Sequence, residues 1–501
     1  PAVTRPGATT PALHAEVADN CVLRHRFGDR AAVDDAFARA ARVVTLEVAL
    51  PRVVPNALEP RAAIADYDAA RGRWTLWTPH QGINEIRRSL APVLDVAPER
   101  LDVRAHHVGG AFGARGPAYP EHAVLLAASR RLGRPVRWQG SRLEGFQSEM
   151  HGRGTRAHGR PGLDAAGRFT ALEIGYGADL GAYVTPVGAQ IHLKNPQATL
   201  TGVYAIPAAV LDVALHLTNT VPTGPYRGAG RPDITYALER LVDEAAAVTG
   251  LDRLELRRRN AVAPTNSPWT TPLGVTYDSG DYPGLVDRAA RAADWAGAPA
   301  RRRAAEARGR LHGVGCALFV EVAGGGAAPH DEAVLRLDGT GGALRVAAFV
   351  AGKGSGQGHE VTLPRLVAEA LGCAPAQVEL HESASDVPLV GSGTFGSRSL
   401  AAMGTALIDA AGTARRALLA VAADAFGRPV ERLDVADGVV VDDGEAVAPL
   451  AGVVATAVQG GGVLEVRGWA PRFRTVPSGC HVAEVKIDRD TGAVTLVGCT
   501  A

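Results

Sequence analysis

Cysteine is scarce. The five in 501 residues, Cys21, Cys316, Cys373, Cys480 and Cys499, stand apart, and no two have Cys-x-x-Cys spacing. That spacing excludes an iron–sulfur cluster or structural zinc site on this stretch, and it suits a reduced cytoplasmic setting. An excess of one charge is also missing. The 53 Lys and Arg balance 52 Asp and Glu to a net +1, and no run of like charge stands out, so nucleic acid and charged membrane surfaces drop out as partners. Lys194, Lys353 and Lys486 are the only lysines, and nothing chemical follows from the preference for arginine. No apolar stretch is long enough to span a bilayer. The opening Pro1-Ala2-Val3-Thr4-Arg5 carries no basic-then-apolar signal.

Several catalytic signatures are absent too. A nicotinamide fold needs Gly-x-Gly-x-x-Gly after an early strand with an acid about 20 residues on, whereas Gly354-Ser355-Gly356-Gln357-Gly358 has the wrong spacing and comes late. An ATPase loop needs Lys after its glycines, and Lys353 precedes Gly354, Gly356 and Gly358. His106 and His107 are adjacent and point to opposite faces of an extended segment, with no carboxylate at ligand spacing, which disfavours a metal there. No Gly-x-Ser-x-Gly sits beside a convincing strand, so serine-hydrolase chemistry has no support.

Glycine is what the chain has in number, 59 residues, and it is clustered. Residues 226–231, Tyr-Arg-Gly-Ala-Gly-Arg, run into a helical pattern in which Ile234, Ala237, Leu238, Leu241, Ala245 and Val248 recur, with Pro232 suited to its start and Gly250 to its end. The cluster 108–113 follows a strand at 101–105 and precedes a helix at 119–131. A third, 352–359, opens a helix to Leu371. The fourth, 391–398, opens a long small-residue helix over 399–426 capped by Gly427. One such loop can be a turn that caps a helix. Four of them predict a large anionic ligand gripped by backbone at many points, because only backbone without Cβ approaches phosphate so closely.

Between the clusters the pattern is mixed. It predicts a helix over 33–42, strands at 43–50, 62–67 and 74–77, and a helix over 81–95 that Pro92 should kink or end early. Strands follow at 170–176, 209–217, 311–322, 333–338 and 344–350. Residues 1–30 read as a linker, and Pro264, Pro268, Pro272, Gly274 and Gly280 mark a second linker over 262–285. That leaves a first domain at 31–261 and a second at 286–501.

From about Asn20 onward the ordered clusters resemble the molybdenum-binding large subunit of the xanthine dehydrogenase, aldehyde oxidase and aerobic carbon monoxide dehydrogenase family. The resemblance rests on Glu59-Pro60-Arg61, Gln81, 108–113, 226–231, 277–282, 321–324, 356–359, 393–398, 482–485 and Thr491-Gly492. It implies an α+β fold with two large mixed α/β molybdopterin-binding domains, the second truncated at its C-terminal end. It also implies molybdenum held by the dithiolene of molybdopterin cytosine dinucleotide, with no side-chain ligand to the metal. By the same carry-over Gln81 would hydrogen-bond the metal centre, and Phe112 with Gly109, Gly110, Ala111 and Gly113 would line it. Gly356, Gln357, Gly358, His359, Thr394, Ser397 and Arg398 would hold the dinucleotide and pterin, while Arg227 and Gly228 would reach the substrate pocket. The implied chemistry is oxidative hydroxylation by water, with electrons leaving through an iron–sulfur subunit to an FAD subunit, in a cytoplasmic dimer of heterotrimers.

Two departures bear on substrate and activity. Gly228 stands where the carbon monoxide enzymes carry a copper-binding cysteine, and Gly116 where purine oxidisers carry a glutamate, which leaves an aldehyde or an N-heteroaromatic carbon. The family's glutamate base belongs to a segment beyond residue 501, and a small α/β domain normally precedes Asn20. The alternative reading is therefore a catalytically incomplete fragment or a non-catalytic scaffold, since loss of the base would cost about 10² to 10⁴ in rate.

Overall fold

The computed structural model describes residues 11–326, 328–383, 387–459 and 462–501. They form two compact units that do not follow the sequence halves. One joins residues up to Val54 with Met150–Ala323 and Thr475–Ala501; the other joins Pro55–Glu149 with Gly324–Arg474. The fold is α+β, as the family resemblance implies.

In the first unit the hairpin of strands Gly152–Leu163 and Phe169–Asp179 is followed by helix Gly188–Thr199, and strand Ala209–His216 returns parallel to Phe169–Asp179. A parallel return needs a crossover, and the helix supplies it. Strand Phe169–Asp179 alternates buried and half-buried residues along most of its length, so one face of the sheet seals a core with Ile174, Tyr176, Leu211, Val213 and helix Arg231–Thr249.

Two expectations for this unit change. Residues 21–28 are not linker: strand Cys21–Gly28 pairs antiparallel with Ala209–His216 at the sheet edge. None of its residues is buried, so the alternation that marks a strand is hidden. Residues 1–10 of the same expectation lie outside the described residues. The Pro- and Gly-rich 262–285 stretch is likewise part of the fold. Strands Trp269–Thr270 and Thr276–Tyr277 form a hairpin, and Val275, Tyr277 and Tyr282 are core residues. Tyr277 donates its hydroxyl to the Gly202 carbonyl at 2.8 Å, and Asp281 caps helix Tyr282–Ala292 by accepting from Gly284 N–H at 2.9 Å.

The second unit contains the same arrangement twice. Strands Ala62–Asp68 and Arg73–Trp77 form a hairpin, helix Ile83–Leu94 crosses over, and Leu101–Arg104 returns parallel to Arg73–Trp77. Helix Pro120–Leu132 then leads to Val136–Gln139 beside the first strand. In the second copy, strands His330–Asp338 and Arg345–Val350 pair, helix His359–Leu371 crosses over, and Val378–Glu382 returns parallel. Helix Thr405–Phe426 precedes Leu464–Pro471, again beside the first strand. Pro92 falls in the last turn of its helix, which ends at the left-handed Asp95.

The long helix packs through Ala406, Ala410, Ala411, Ala414 and Ala422, all fully buried. A Cβ at Gly468 on the neighbouring strand would stand 2.2 Å from the Ala410 nitrogen. Small residues on both elements are what permit that approach. The predicted start at 399 is a π-helical turn, Leu400–Gly404, immediately after the glycine cluster.

Candidate functional site

The repeated topology gives the glycine clusters equivalent places. Clusters 108–113 and 391–398 each follow the third strand of their copy, and residue 81 and cluster 352–358 each precede the crossover helix. In the first unit, cluster 226–230 likewise follows the third strand, Ala209–His216.

In the second unit Gln81 joins two clusters. Its Nε2 donates to the Thr394 carbonyl at 2.7 Å, and its Oε1 accepts from Gly113 N–H at 3.1 Å. The Thr394 N–H returns to the Gln81 carbonyl at 2.6 Å. Thr394 Oγ1 also accepts from Lys353 N–H at 3.0 Å, which brings in the third cluster. Gly82 and Gly393 make this possible. A Cβ on Gly82 would meet Gly393 Cα at 2.9 Å, and one on Gly393, whose φ is +89°, would meet the Gln81 carbonyl oxygen at 2.6 Å.

Cluster 108–113 is gripped from outside by Glu59, whose Oε2 accepts from Gly109 N–H at 2.7 Å and whose own N–H donates to the Gly109 carbonyl at 3.2 Å. Two places along, Arg61 lies 4.0 Å over the Tyr119 ring and donates to Ser148 Oγ at 2.6 Å. Glu59-Pro60-Arg61 is thus a clamp. Ala111 is buried. Phe112 is 44% exposed with φ +51°, and its ring lies 3.0 Å from where a Gly110 Cβ would be.

Cluster 352–358 is pinned by Glu382, a residue with no sequence signal beyond its place at a strand end. Its carboxylate accepts from Gly354 N–H at 2.7 Å and from Lys353 Nζ at 3.1 Å, with His359 Nδ1 at 3.3 Å. Burial works against its charge, but His359, Lys353 and that N–H together hold its carboxyl below the ordinary range. Gln357 is exposed and folds back, Oε1 accepting from Ser355 N–H at 2.6 Å. Beyond these anchors the loop is open: Gly356 at φ +108° and Gly358 at φ +79° have no atom within 4 Å of a built Cβ.

Arg398 sits differently from the expected ligand contact. It is 2% exposed, paired with Asp331 and donating to the carbonyls of Gly325 at 3.0 Å and Gly393 at 3.2 Å. All three guanidinium nitrogens are occupied, so it supports the Gly393 loop from behind. Ser397 is exposed with φ +54°. Beside Gln81, His80 is fully buried with no partner for either ring nitrogen, and desolvation, then the Lys353 charge, lowers its pKa to about 4.

In the first unit Arg227 is exposed at φ +22°, followed by Gly228 at +96°, Ala229 at +47° and Gly230 at +88°. A Cβ on Gly228 would stand 2.4 Å from Pro232 Cγ, and one on Gly230 would stand 2.0 Å from the Ile191 carbonyl oxygen. Arg231 pairs with Glu321 at 2.6 Å, and burial raises the Glu321 pKa against that cation. Two partners the sequence did not single out bind the loop's carbonyls: Arg153 reaches Tyr226 at 3.1 Å and Arg227 at 2.8 Å, and Asn195 Nδ2 reaches Ala229 at 2.7 Å. Arg153, in left-handed backbone between Gly152 and Gly154, has its signal in that Gly-x-Gly. Phe112, Arg227, Ala229 and Ser397 are non-glycine residues in left-handed backbone within these loops, and strain of that kind is a pointer to function.

Glycine-rich loops that open helices are the kind of backbone that can accept a large polar ligand. A family model for the molybdopterin cofactor-binding domain matches residues 13–261, and a second of the same description matches 288–501. The chain belongs to the molybdopterin cofactor-binding family of xanthine dehydrogenase, aldehyde oxidase and carbon monoxide dehydrogenase large subunits. Among its relatives, the nicotine 6-hydroxylase large subunit of Paenarthrobacter nicotinovorans is 32% identical over 85% of this chain and 53% of its own. The carbon monoxide dehydrogenase large chain of Hydrogenophaga pseudoflava is 29% identical over 81% of this chain and 51% of its own. The solved quinoline 2-oxidoreductase of Pseudomonas putida 86 superposes with a TM-score of 0.87 at 30% identity, over 96% of this chain and 63% of that one. The chain therefore spans about half the length of the curated relatives it matches. Among the described residues no helix is long and apolar enough to cross a membrane.

Proposed function

We propose that this chain is the cofactor-holding region of a molybdenum hydroxylase that uses water to oxidise an N-heteroaromatic carbon, or an aldehyde. The observation that carries the reading is the Gln81 carboxamide, which orders two glycine clusters around one buried point. The residues fit a pterin dinucleotide: Gly356 and Gly358 leave open space where a Cβ would be, at the start of helix His359–Leu371. The second Nε2 proton of Gln81 remains to donate.

In this reading Gly109, Gly110, Ala111 and Gly113 approach the cofactor through backbone, Phe112 covers it, and Gly356, Gln357, Gly358 and His359 take its phosphates. Thr394 and Ser397 offer backbone and hydroxyl, Arg398 holds their loop, and Arg227 and Gly228 face the substrate. When bound, a molybdenum pterin supplies two-electron oxidation with oxygen drawn from water. The names nicotine 6-hydroxylase and quinoline 2-oxidoreductase favour a ring carbon beside nitrogen. The cytosine dinucleotide form, iron–sulfur and FAD partner subunits, a dimer of heterotrimers and a cytoplasmic location complete the proposal.

Metal and nucleotide analysis of the full chain purified with its partner subunits tests it. Molybdenum with cytidine monophosphate released on acid hydrolysis is the expected result; a folded protein without molybdenum would overturn it and favour the scaffold reading.

A further inference from the structure

Loop 226–230 is built to an unusual degree. Its residues 227–230 are in left-handed backbone, a run that is strained at each non-glycine position, so something must hold it. Three of its carbonyls have side-chain donors: Arg153 on Tyr226 and Arg227, Asn195 on Ala229. Arg153 also lies 5.0 Å over the Tyr226 ring, and its Nη1 stands 3.4 Å from Asp233 Oδ2. Asp233 is 1% exposed in the first turn of helix Arg231–Thr249 and accepts from Thr155 Oγ1 at 3.1 Å. Burial raises its carboxyl pKa while the Arg153 charge opposes that rise. The arginine therefore fixes the loop to the helix it enters. It is itself set in place, since a Cβ on Gly152 would meet Tyr226 Cβ at 2.5 Å.

The same loop carries the exposed Arg227 side chain and, beside it, the half-buried backbone of Gly228 and Ala229. We propose that Arg153, assisted by Asn195, is a positioning residue that sets this loop and through it the affinity for substrate. The proposal rests on the reading that the loop faces the substrate. The partners of Arg153 named above lie in loop 226–230 and the helix behind it, so its loss should act on substrate binding and leave cofactor loading unchanged.

The test uses the full enzyme with its partner subunits, quinoline as substrate and a dye acceptor. Arg153→Met should speed amide hydrogen exchange across 226–231 by about tenfold or more and raise KM for quinoline by about tenfold, with a smaller change in kcat and unchanged molybdenum content. Arg153→Lys should restore part of both, and Asn195→Ala should move both in the same direction by less. Should Arg153→Met fail to fold, those two variants carry the test. Unchanged exchange across 226–231 in folded, loaded variants would overturn the clamp. Faster exchange with unchanged KM, together with an unchanged KM in Arg227→Ala, would instead overturn the loop's place at the substrate.

Discussion

Gln81 Nε2 donates to the Thr394 carbonyl at 2.7 Å, joining residues 313 positions apart in sequence. Both lie in the unit formed by Pro55–Glu149 and Gly324–Arg474, and the bond is buried. Its loss reaches two clusters together, because the same carboxamide accepts from Gly113.

Gln81→Ala should lower the stability of the chain by about 1–3 kcal/mol, the cost of leaving a buried N–H and C=O unpaired. Urea unfolding measures it. In the full enzyme turnover should fall more than molybdenum content; collapse of loading with full activity in the loaded fraction would contradict the role given to Gln81.

Two glycines should respond differently to alanine. Gly393→Ala places a methyl 2.6 Å from the Gln81 carbonyl oxygen at φ +89°, and a loss above about 2 kcal/mol is expected from backbone strain and contact together. Gly356→Ala meets open space, so at φ +108° it bears backbone strain alone; it should cost about 1–2 kcal/mol, keep the fold and lose cofactor occupancy. Thermal unfolding and molybdenum content, measured on both, separate a packing glycine from one that receives the cofactor.

Stability should fall on mild acidification. His80, His122 and His192 are buried, and desolvation first, then neighbouring positive charge for His80 and His122, lowers each from 6.5 to about 4. The unfolded chain takes up protons below pH 6.5 that the folded chain refuses down to about 4. Their contribution is therefore complete above pH 6.5 and is lost progressively as pH falls through that window. His80→Phe should shrink the difference in melting temperature between pH 8 and pH 5; an unchanged difference would show that His80 is protonated at no cost.

Gly228→Cys should not create a copper site. The new Cβ would stand 2.4 Å from Pro232 Cγ at φ +96°, so the loop must move to admit it. Lower stability with no copper by metal analysis is the expected outcome.

The sequence carried the parts of this fold that are periodic or glycine-marked. Helices Arg231–Thr249, His359–Leu371 and Thr405–Phe426 lie where apolar spacing and capping glycines put them, because local pattern and tertiary burial agree there. Strand Gly152–Leu163, whose sequence Gly-Arg-Gly-Thr-Arg-Ala-His-Gly-Arg-Pro is rich in arginine and glycine, has no such pattern; its pairing with three other strands makes it a strand. The clusters were legible because close backbone approach leaves no substitute for glycine. Their anchors were not. Glu382, Asp331 and Arg153 act through distance in space, and a lone acid or arginine on a chain with many of both announces nothing.

The interleaving of the second unit has a consequence for synthesis. Segment Pro55–Glu149 leaves the ribosome early, but the segments it packs with end at Arg474. At about 5–20 residues per second it waits for tens of seconds with its clusters unpaired. The Gln81–Thr394 junction forms only once residues 391–398 have been made, so whatever depends on that junction is assembled long after the first segment has been synthesised.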